Sequence, residues 1–381
     1  MFSKTITIFK LFGFEVKIDL SWLILAVLIT WSLAEGLFPY MFSGLPAATY
    51  WWMGVAGAVG LLFSIVFHEL SHSLVARRFG LPIKGITLFI FGGVAEMSEQ
   101  PANPWVEFWM AVAGPLSSLF LALAFYGGYL AGMQAELPAS VVGVAYYMFY
   151  LNILLAAFNL VPAFPLDGGR VLRAALWKWK HNIRWATRIS SRVGSAFGVV
   201  LIILGVFDVL QGNFIGGMWW FLIGLFLRGA ANTSYRQLLV KQMLEGETIS
   251  HFMNDNPVTV PPLTTLTELV DNYIYKHHYK MFPVVDDSRL VGCVTTRQVR
   301  EIPREEWDRH TVSEISRQCS RDNSVSPDSD ALNAMSLMSE EGRSRLMVVD
   351  HNRLVGIVTL KDLMRFLSIK MDLEQPAGRL S

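Results

Sequence analysis

Phe67-His68-Glu69-Leu70-Ser71-His72 places two histidines four positions apart, with a glutamate beside the first. On a helix, residues at that spacing share a face, so both imidazoles can point at one ion. Imidazole is a common zinc ligand, and a glutamate next to it can take a proton from metal-bound water. Zinc lowers the pKa of such water to about 7, which makes hydroxide available at neutral pH. The chemistry implied is metal-assisted hydrolysis. The plainer reading is a polar patch that holds helices together. The setting favours chemistry: the motif lies inside an apolar run, 51–76, long enough to cross a bilayer. Two histidines and a glutamate are costly there and are functional by default.

A catalytic zinc usually takes three protein ligands and a water. The chain offers a third candidate in Asn159-Leu160-Val161-Pro162-Ala163-Phe164-Pro165-Leu166-Asp167-Gly168-Gly169-Arg170. Its two prolines break a helix, and Gly168-Gly169 allows a sharp turn or close backbone approach. Asp167 then sits on irregular backbone at the membrane face where the run 51–76 ends. Taken alone, Asp167 reads as an N-cap for a helix starting near Arg170. The unfilled zinc position tips the balance towards a ligand. Asn152 and Asn159 are seven residues apart and share a helix face. They either bond between helices or, in the case of Asn159, hold a substrate backbone or oxyanion. The residues leave both open.

The elements that must position these groups are mostly membrane helices. The chain of 381 residues is 52% hydrophobic and 17% charged, with a mean hydropathy of +0.39. Its apolar runs lie before Arg228, and residues 234–381 read as soluble sequence. Spans are expected near 18–38, 51–76, 106–131, 141–161, 194–211 and 215–228. Residues 1–17 carry no cleavage pattern, so the first span is expected to stay as an anchor. Lys4, Lys10, Lys17, Arg77, Arg78, the connection 168–192 and Arg228, Arg236, Lys241 supply four basic groups. Six spans put all four on one side, which predicts cytoplasmic termini in a cell membrane. A net charge of +1 gives no support to a nucleic-acid partner. Cys293 and Cys319 form no CxxC pair, which argues against a disulfide framework or cysteine zinc site. Between the second and third spans, residues 80–100 hold a short apolar core interrupted by Gly92-Gly93. That pattern predicts a strand–turn–strand hairpin, with a tethered surface loop as the alternative. An exposed hairpin edge near 84–97 could receive an unwound peptide as an added strand.

The polar part contains a repeat. Residues 282–299 (FPVVDDSRLVGCVTTRQV) align without gaps to 346–363 (LMVVDHNRLVGIVTLKDL). Each copy reads as strand, turn, strand and helix start, with a helical stretch upstream at 265–278 or 329–341. Two such units are expected to cover each other's apolar faces.

The HELSH helix and the NLVPAFPLDGG segment resemble the site-2 protease family of intramembrane zinc metalloproteases. The likeness extends to the Gly-Gly hairpin and to Ala113-Gly114-Pro115 in the third span. It implies one Zn2+ per chain held by His68, His72 and Asp167, with Glu69 as catalytic acid/base and Asn159 positioning the substrate. It further implies that the partners are the lipid bilayer and a membrane-spanning protein, cut in regulated intramembrane proteolysis. The repeat resembles a tandem pair of cystathionine-β-synthase (CBS) domains, whose threonine and aspartate hold a ribose. The second copy keeps Gly356, Thr359 and Asp362; the first has Gly292 and Thr295, but Gln298 where aspartate is usual. That implies one adenine-nucleotide site, or else a purely structural pair that forms a homodimer. The fold class expected is an α-helical polytopic membrane protein of about six transmembrane helices with a membrane-associated β-hairpin, followed by a soluble α/β tandem CBS domain. The domains expected are a protease domain at 1–230, a linker at 231–247, CBS domains at 248–303 and 311–368, and a tail at 369–381. A rival from another class is a CBS-gated channel or transporter that uses the buried His/Glu cluster for ions or protons.

Overall fold

The computed structural model describes residues 5–89, 92–97, 101–287, 289–317, 323–340, 342–351 and 353–374. The chain divides into two compact units, Met1–Arg236 and Gln237–Ser381.

In the first unit, β1 (Thr5–Leu11) and β2 (Phe14–Asp19) form an antiparallel hairpin. The turn between them holds Phe12 and Gly13 at positive φ, the geometry that suits the twist of a tight hairpin. Helix α1 (Leu20–Ser32) is capped by the Asp19 carboxylate and runs on through a π turn, so the apolar span reaches Met41. Helix α2 (Ala47–Arg78) carries the HELSH motif and leads into β3 (Ile83–Phe89) and β4 (Gly92–Met97). Four more helices follow: α3 (Pro104–Gln134), α4 (Ala139–Asn159), α5 (Asp167–Lys180) and α6 (Ile183–Leu210). Helix α7 (Phe214–Leu244) closes the series.

Five helices among the described residues are long and apolar enough to cross a membrane: Leu20–Met41, Ala47–Arg78, Pro104–Gln134, Ala139–Asn159 and Ile183–Leu210. The sixth expected span, 215–228, forms the first part of α7 and is not among these five. The basic connection expected at 168–192 is largely helical. It is the short helix α5 followed by the first turns of α6, with exposed Arg188 and Arg192 on one face of α6 at the i, i+4 spacing.

The hairpin expected near 84–97 is present as β3 and β4, its tip at Ile90 and Phe91 lying outside the described residues. It does not stand alone. β1-β2-β3-β4 make one sheet, with β2 and β3 parallel. The alternation in Thr5–Asp19 and the Phe-Gly turn were the available signals for the two extra strands. Phe14, Val16 and Ile18 point inward from β2 and join Ile86 and Leu88 from β3 against Leu61, Ile65, Val66 and Leu70 of α2. One face of the sheet is thereby fastened to the helix that bears the histidines. β4 is an edge strand, with no neighbour beyond it among the described residues.

The second unit is a pair of like folds. β5 (Met281–Asp286) and β6 (Arg289–Thr295) form one hairpin, and β8 (Arg345–Asp350) and β9 (Arg353–Thr359) form the other. Both carry the same register shift, Val284/Val285 in one and Val348/Val349 in the other. Both turn on a residue at positive φ, Asp287 or His351. With β7 (Ser324–Val325) they make a five-stranded sheet of order β5-β6-β9-β8-β7. The copies exchange backbone pairing. Cys293 in β6 pairs with Arg317, and Ile357 in β9 pairs with Asn254. Gly292 and Gly356 admit these strands, because a Cβ would stand 2.7 Å from the Arg317 carbonyl oxygen or 2.8 Å from that of Asn254. α8 (Thr296–Arg300) follows β6; α9 (Ala331–Glu340) precedes β8; α10 (Leu360–Glu374) follows β9. Met243 and Leu244, at the end of α7, are buried in the core of the second copy with Leu346, Val348, Leu363 and Leu367. Cys293 is buried, its Sγ accepting from Asn323 Nδ2 at 3.8 Å, and Cys319 lies outside the described residues.

Candidate metal centre

Helix α2 presents His68 and His72 on one face, as their spacing requires, and both are 4% exposed. The third group arrives from far along the chain. α4 ends at Asn159, and the segment to Leu166 is irregular, with a cis peptide at Phe164-Pro165. Gly168 lies against the Leu160 and Val161 carbonyls and Gly169 against the Ala163–Phe164 backbone, so neither position has room for a Cβ. Their lack of side chains lets α5 start hard against the bend. Asp167 is the first residue of α5, and Leu166 occupies the N-cap position without a side-chain bond. Asp167 therefore does not cap its helix, the plainer expectation for it. Its carboxylate turns to the histidines, where Oδ2 lies 3.0 Å from His68 Nε2 and 3.1 Å from His72 Nε2.

The remaining ring atoms decide what this cluster can be. His72 Nδ1 lies 2.5 Å from the Met110 carbonyl oxygen, which can only accept, so Nδ1 carries the proton and Nε2 a lone pair. His68 Nδ1 pairs with the Ser118 hydroxyl at 2.9 Å, and with Nδ1 donating, its Nε2 lone pair faces the same point. The two Nε2 atoms are 3.2 Å apart. Two lone pairs and a carboxylate oxygen at such range repel one another unless a cation lies among them. Tetrahedral zinc with bonds near 2.0–2.1 Å requires ligand separations of about 3.4 Å, close to those present. The donor set therefore fits zinc. An ionised, buried carboxylate suits a dication.

Two glycines set the approach of neighbouring backbone. A Cβ on Gly114 of α3 would lie 2.5 Å from His68 Nε2 and closer still to His72 Nε2. A Cβ on Gly93 of β4 would lie 2.5 Å from Glu69 Cγ and 3.0 Å from its Cδ. The half-buried Glu69 is thus overlain by the edge strand of the sheet. Gly93 belongs to the hairpin and Gly114 to a triplet that the sequence picked out by likeness alone. Met110 and Ser118 were missed, since only their i, i+8 relation on α3 hints at a shared role. Asn152 is fully buried and donates to Ser64 Oγ at 3.0 Å, an interhelical bond between α4 and α2. Asn159 instead donates to Leu155 of its own helix at 2.9 Å and is half-buried at the end of α4.

The candidate ribose-binding residues of the two polar copies differ. The Thr359 hydroxyl donates to Asp362 Oδ2 at 2.6 Å, and the Thr359 backbone N–H donates to the same oxygen at 3.0 Å. In the first copy, Gln298 Oε1 accepts both the N–H and the hydroxyl of Thr295 at 2.7 Å, while its Nε2 donates to the Ile315 carbonyl at 2.7 Å.

The model of peptidase family M50 matches residues 56–135 and 132–201, and that of the CBS domain matches 249–305 and 312–369. A candidate zinc metalloprotease of Mycobacterium tuberculosis, Rip3, is 33% identical over 94% of this chain and 92% of its own. A zinc metalloprotease of Methanocaldococcus jannaschii is 29% identical over 96% of both chains. Among solved structures, a site-2 protease from Methanocaldococcus jannaschii is 29% identical, covering 60% of this chain and 94% of that one at a TM-score of 0.43.

Proposed function

Because this chain belongs to peptidase family M50, the site-2 protease group of membrane zinc metalloproteases, we propose that it cuts peptide bonds within the membrane-spanning segments of tethered proteins. The observation that carries the reading is the meeting of His68, His72 and Asp167 at one point among apolar helices. In this reading those three side chains hold one zinc per chain. When bound, the ion supplies Lewis-acid activation of a water and of the scissile carbonyl. Glu69, beside His68 on α2, accepts the proton of the attacking water and returns it to the leaving amine. Met110 and Ser118 fix the ring orientations, as outer partners of metal-binding histidines do. Asn159 positions the substrate backbone at the end of α4.

A helical substrate hides its carbonyls and must unwind before attack. β4 is the edge strand of the sheet among the described residues, and its Gly93 abuts Glu69, so an unwound segment added to that edge would run beside the acid/base. The basic groups flanking the helices favour cytoplasmic termini, with α7 supplying the sixth crossing. Thr359 and Asp362 are the groups for one adenine nucleotide per chain: both internal bonds to the Asp362 side chain fall on Oδ2, which leaves Oδ1 for a ribose hydroxyl. In the first copy both ends of the Gln298 amide are taken.

The test is co-expression with single-span membrane proteins, with fragments read by intact mass for the parent chain and for Glu69→Gln. The variant should keep its zinc and lose about 10²–10⁴-fold in cleavage. A zinc-replete parent that yields no Glu69-dependent fragment from any substrate would end the proposal.

A further inference from the structure

One helix face touches everything that holds the metal cluster. On α3, Glu107, Met110, Gly114 and Ser118 follow one another at spacings of three, four and four, which stacks them along one side. The Met110 carbonyl accepts a hydrogen bond from His72 Nδ1, Ser118 pairs with His68 Nδ1, and Gly114 makes room for both Nε2 atoms. Glu107, one turn below Met110, is completely buried, and its Oε1 meets both Nε and Nη2 of Arg173. Arg173 is 8% exposed and lies on α5, six residues after Asp167. Its guanidinium also stacks on the Phe164 ring at 4.9 Å, in the bend that delivers Asp167. Two guanidinium donors on one carboxylate oxygen, with the ring stacked beside them, fix orientation as well as distance, which an ammonium would not.

We propose that Glu107 and Arg173 are positioning residues for the metal: the pair locks α5 and its Asp167 to the helix that already orients His68 and His72. This rests on the reading of Asp167 as a ligand. A buried Arg–Glu pair is a poor source of stability, since apolar replacements of like size are often neutral or better. What the pair supplies is geometry. Its loss is therefore expected to act on the metal more than on the fold.

The test uses the full chain purified in detergent. Zinc affinity is measured by competition with a chromophoric chelator, and the visible spectrum is recorded after Co2+ replacement. The variants are Arg173→Met, Arg173→Lys and the double Glu107→Leu/Arg173→Met, with Asp167→Ala as reference. Arg173→Met and the double variant should each weaken zinc by about 10–100-fold and alter the Co2+ bands. Arg173→Lys should fall between those and the parent, and the double variant should melt close to the parent. Parent-like affinity and spectrum in the double variant, with Asp167→Ala impaired, would overturn the positioning role and leave the ligand reading standing. Parent-like affinity in Asp167→Ala as well would overturn both.

Discussion

Two aspartates open helices in this protein, and their partners come from different ranges of the chain. Asp167 starts α5 and meets imidazoles 95 and 99 residues away. Asp362 lies in the first turn of α10 and meets the hydroxyl and backbone of Thr359, three residues away. The second arrangement is a local cap that forms whenever strand gives way to helix. The first exists only when α2, α3 and α5 all sit where they do. The first polar copy shows how tolerant the local motif is: glutamine replaces aspartate, the cap persists, and a new bond to Ile315 forms. The metal cluster has no such latitude, because each neighbouring backbone already lies at contact distance.

That contrast can be broken most sharply at Gly114. Gly114→Ala would push a methyl between the two Nε2 atoms, and zinc per chain should fall from one to near zero in metal analysis of the purified protein. Retention of stoichiometric zinc would mean that α3 can retreat and that the site is as forgiving as a cap. Gly93→Val tests the other close contact. It should displace Glu69 and lower cleavage by about 10²-fold, in the range attributed to a misplaced acid/base, while zinc content stays at one. Loss of zinc together with activity would place Gly93 in the metal site itself.

The local motif should respond more mildly. Asp362→Asn removes a charged acceptor worth about 1.5–3 kcal/mol, so adenosine nucleotide affinity should drop about 10–100-fold by calorimetry. Gln298→Asp removes the amide that donates to Ile315, supplies a carboxylate in its place, and should raise the stoichiometry from one nucleotide per chain towards two. No binding by the parent chain would favour a purely structural pair.

The smallest effect is expected at Lys370, which donates to the Met243 carbonyl at 3.0 Å and pairs with Glu247 at 2.7 Å. Lys370→Met should lower the melting temperature of the polar unit by about 2–4 °C near neutral pH. Lys370, through a hydrogen bond, and His251 hold the Glu247 carboxyl below its ordinary value. A carboxyl depressed in the folded state stabilises above its unfolded pKa and ceases to as pH falls through the folded one. The difference between parent and variant should therefore shrink below about pH 4. A gap that stays constant to lower pH would assign the effect to the Met243 carbonyl alone.

Whatever has a short period was legible in the order of the residues. The four-residue spacing put His68 and His72 on one face, the apolar runs located the helices, and the gapless repeat gave two like folds down to a shared register shift. Those patterns are local, because helix and strand geometry repeat every few residues. Packing in three dimensions was needed to turn Asp167 to the histidines instead of capping its helix, and to extend the hairpin into a sheet with β1 and β2. Packing also lets one side of α3 serve both histidines and, through Arg173, the helix bearing Asp167. Closing a long loop costs little more than closing a shorter one, so distance along the chain says almost nothing about which groups will meet. Close approach of backbones settles that, and glycines at 93, 114, 168 and 169 permit it only once their neighbours are in place.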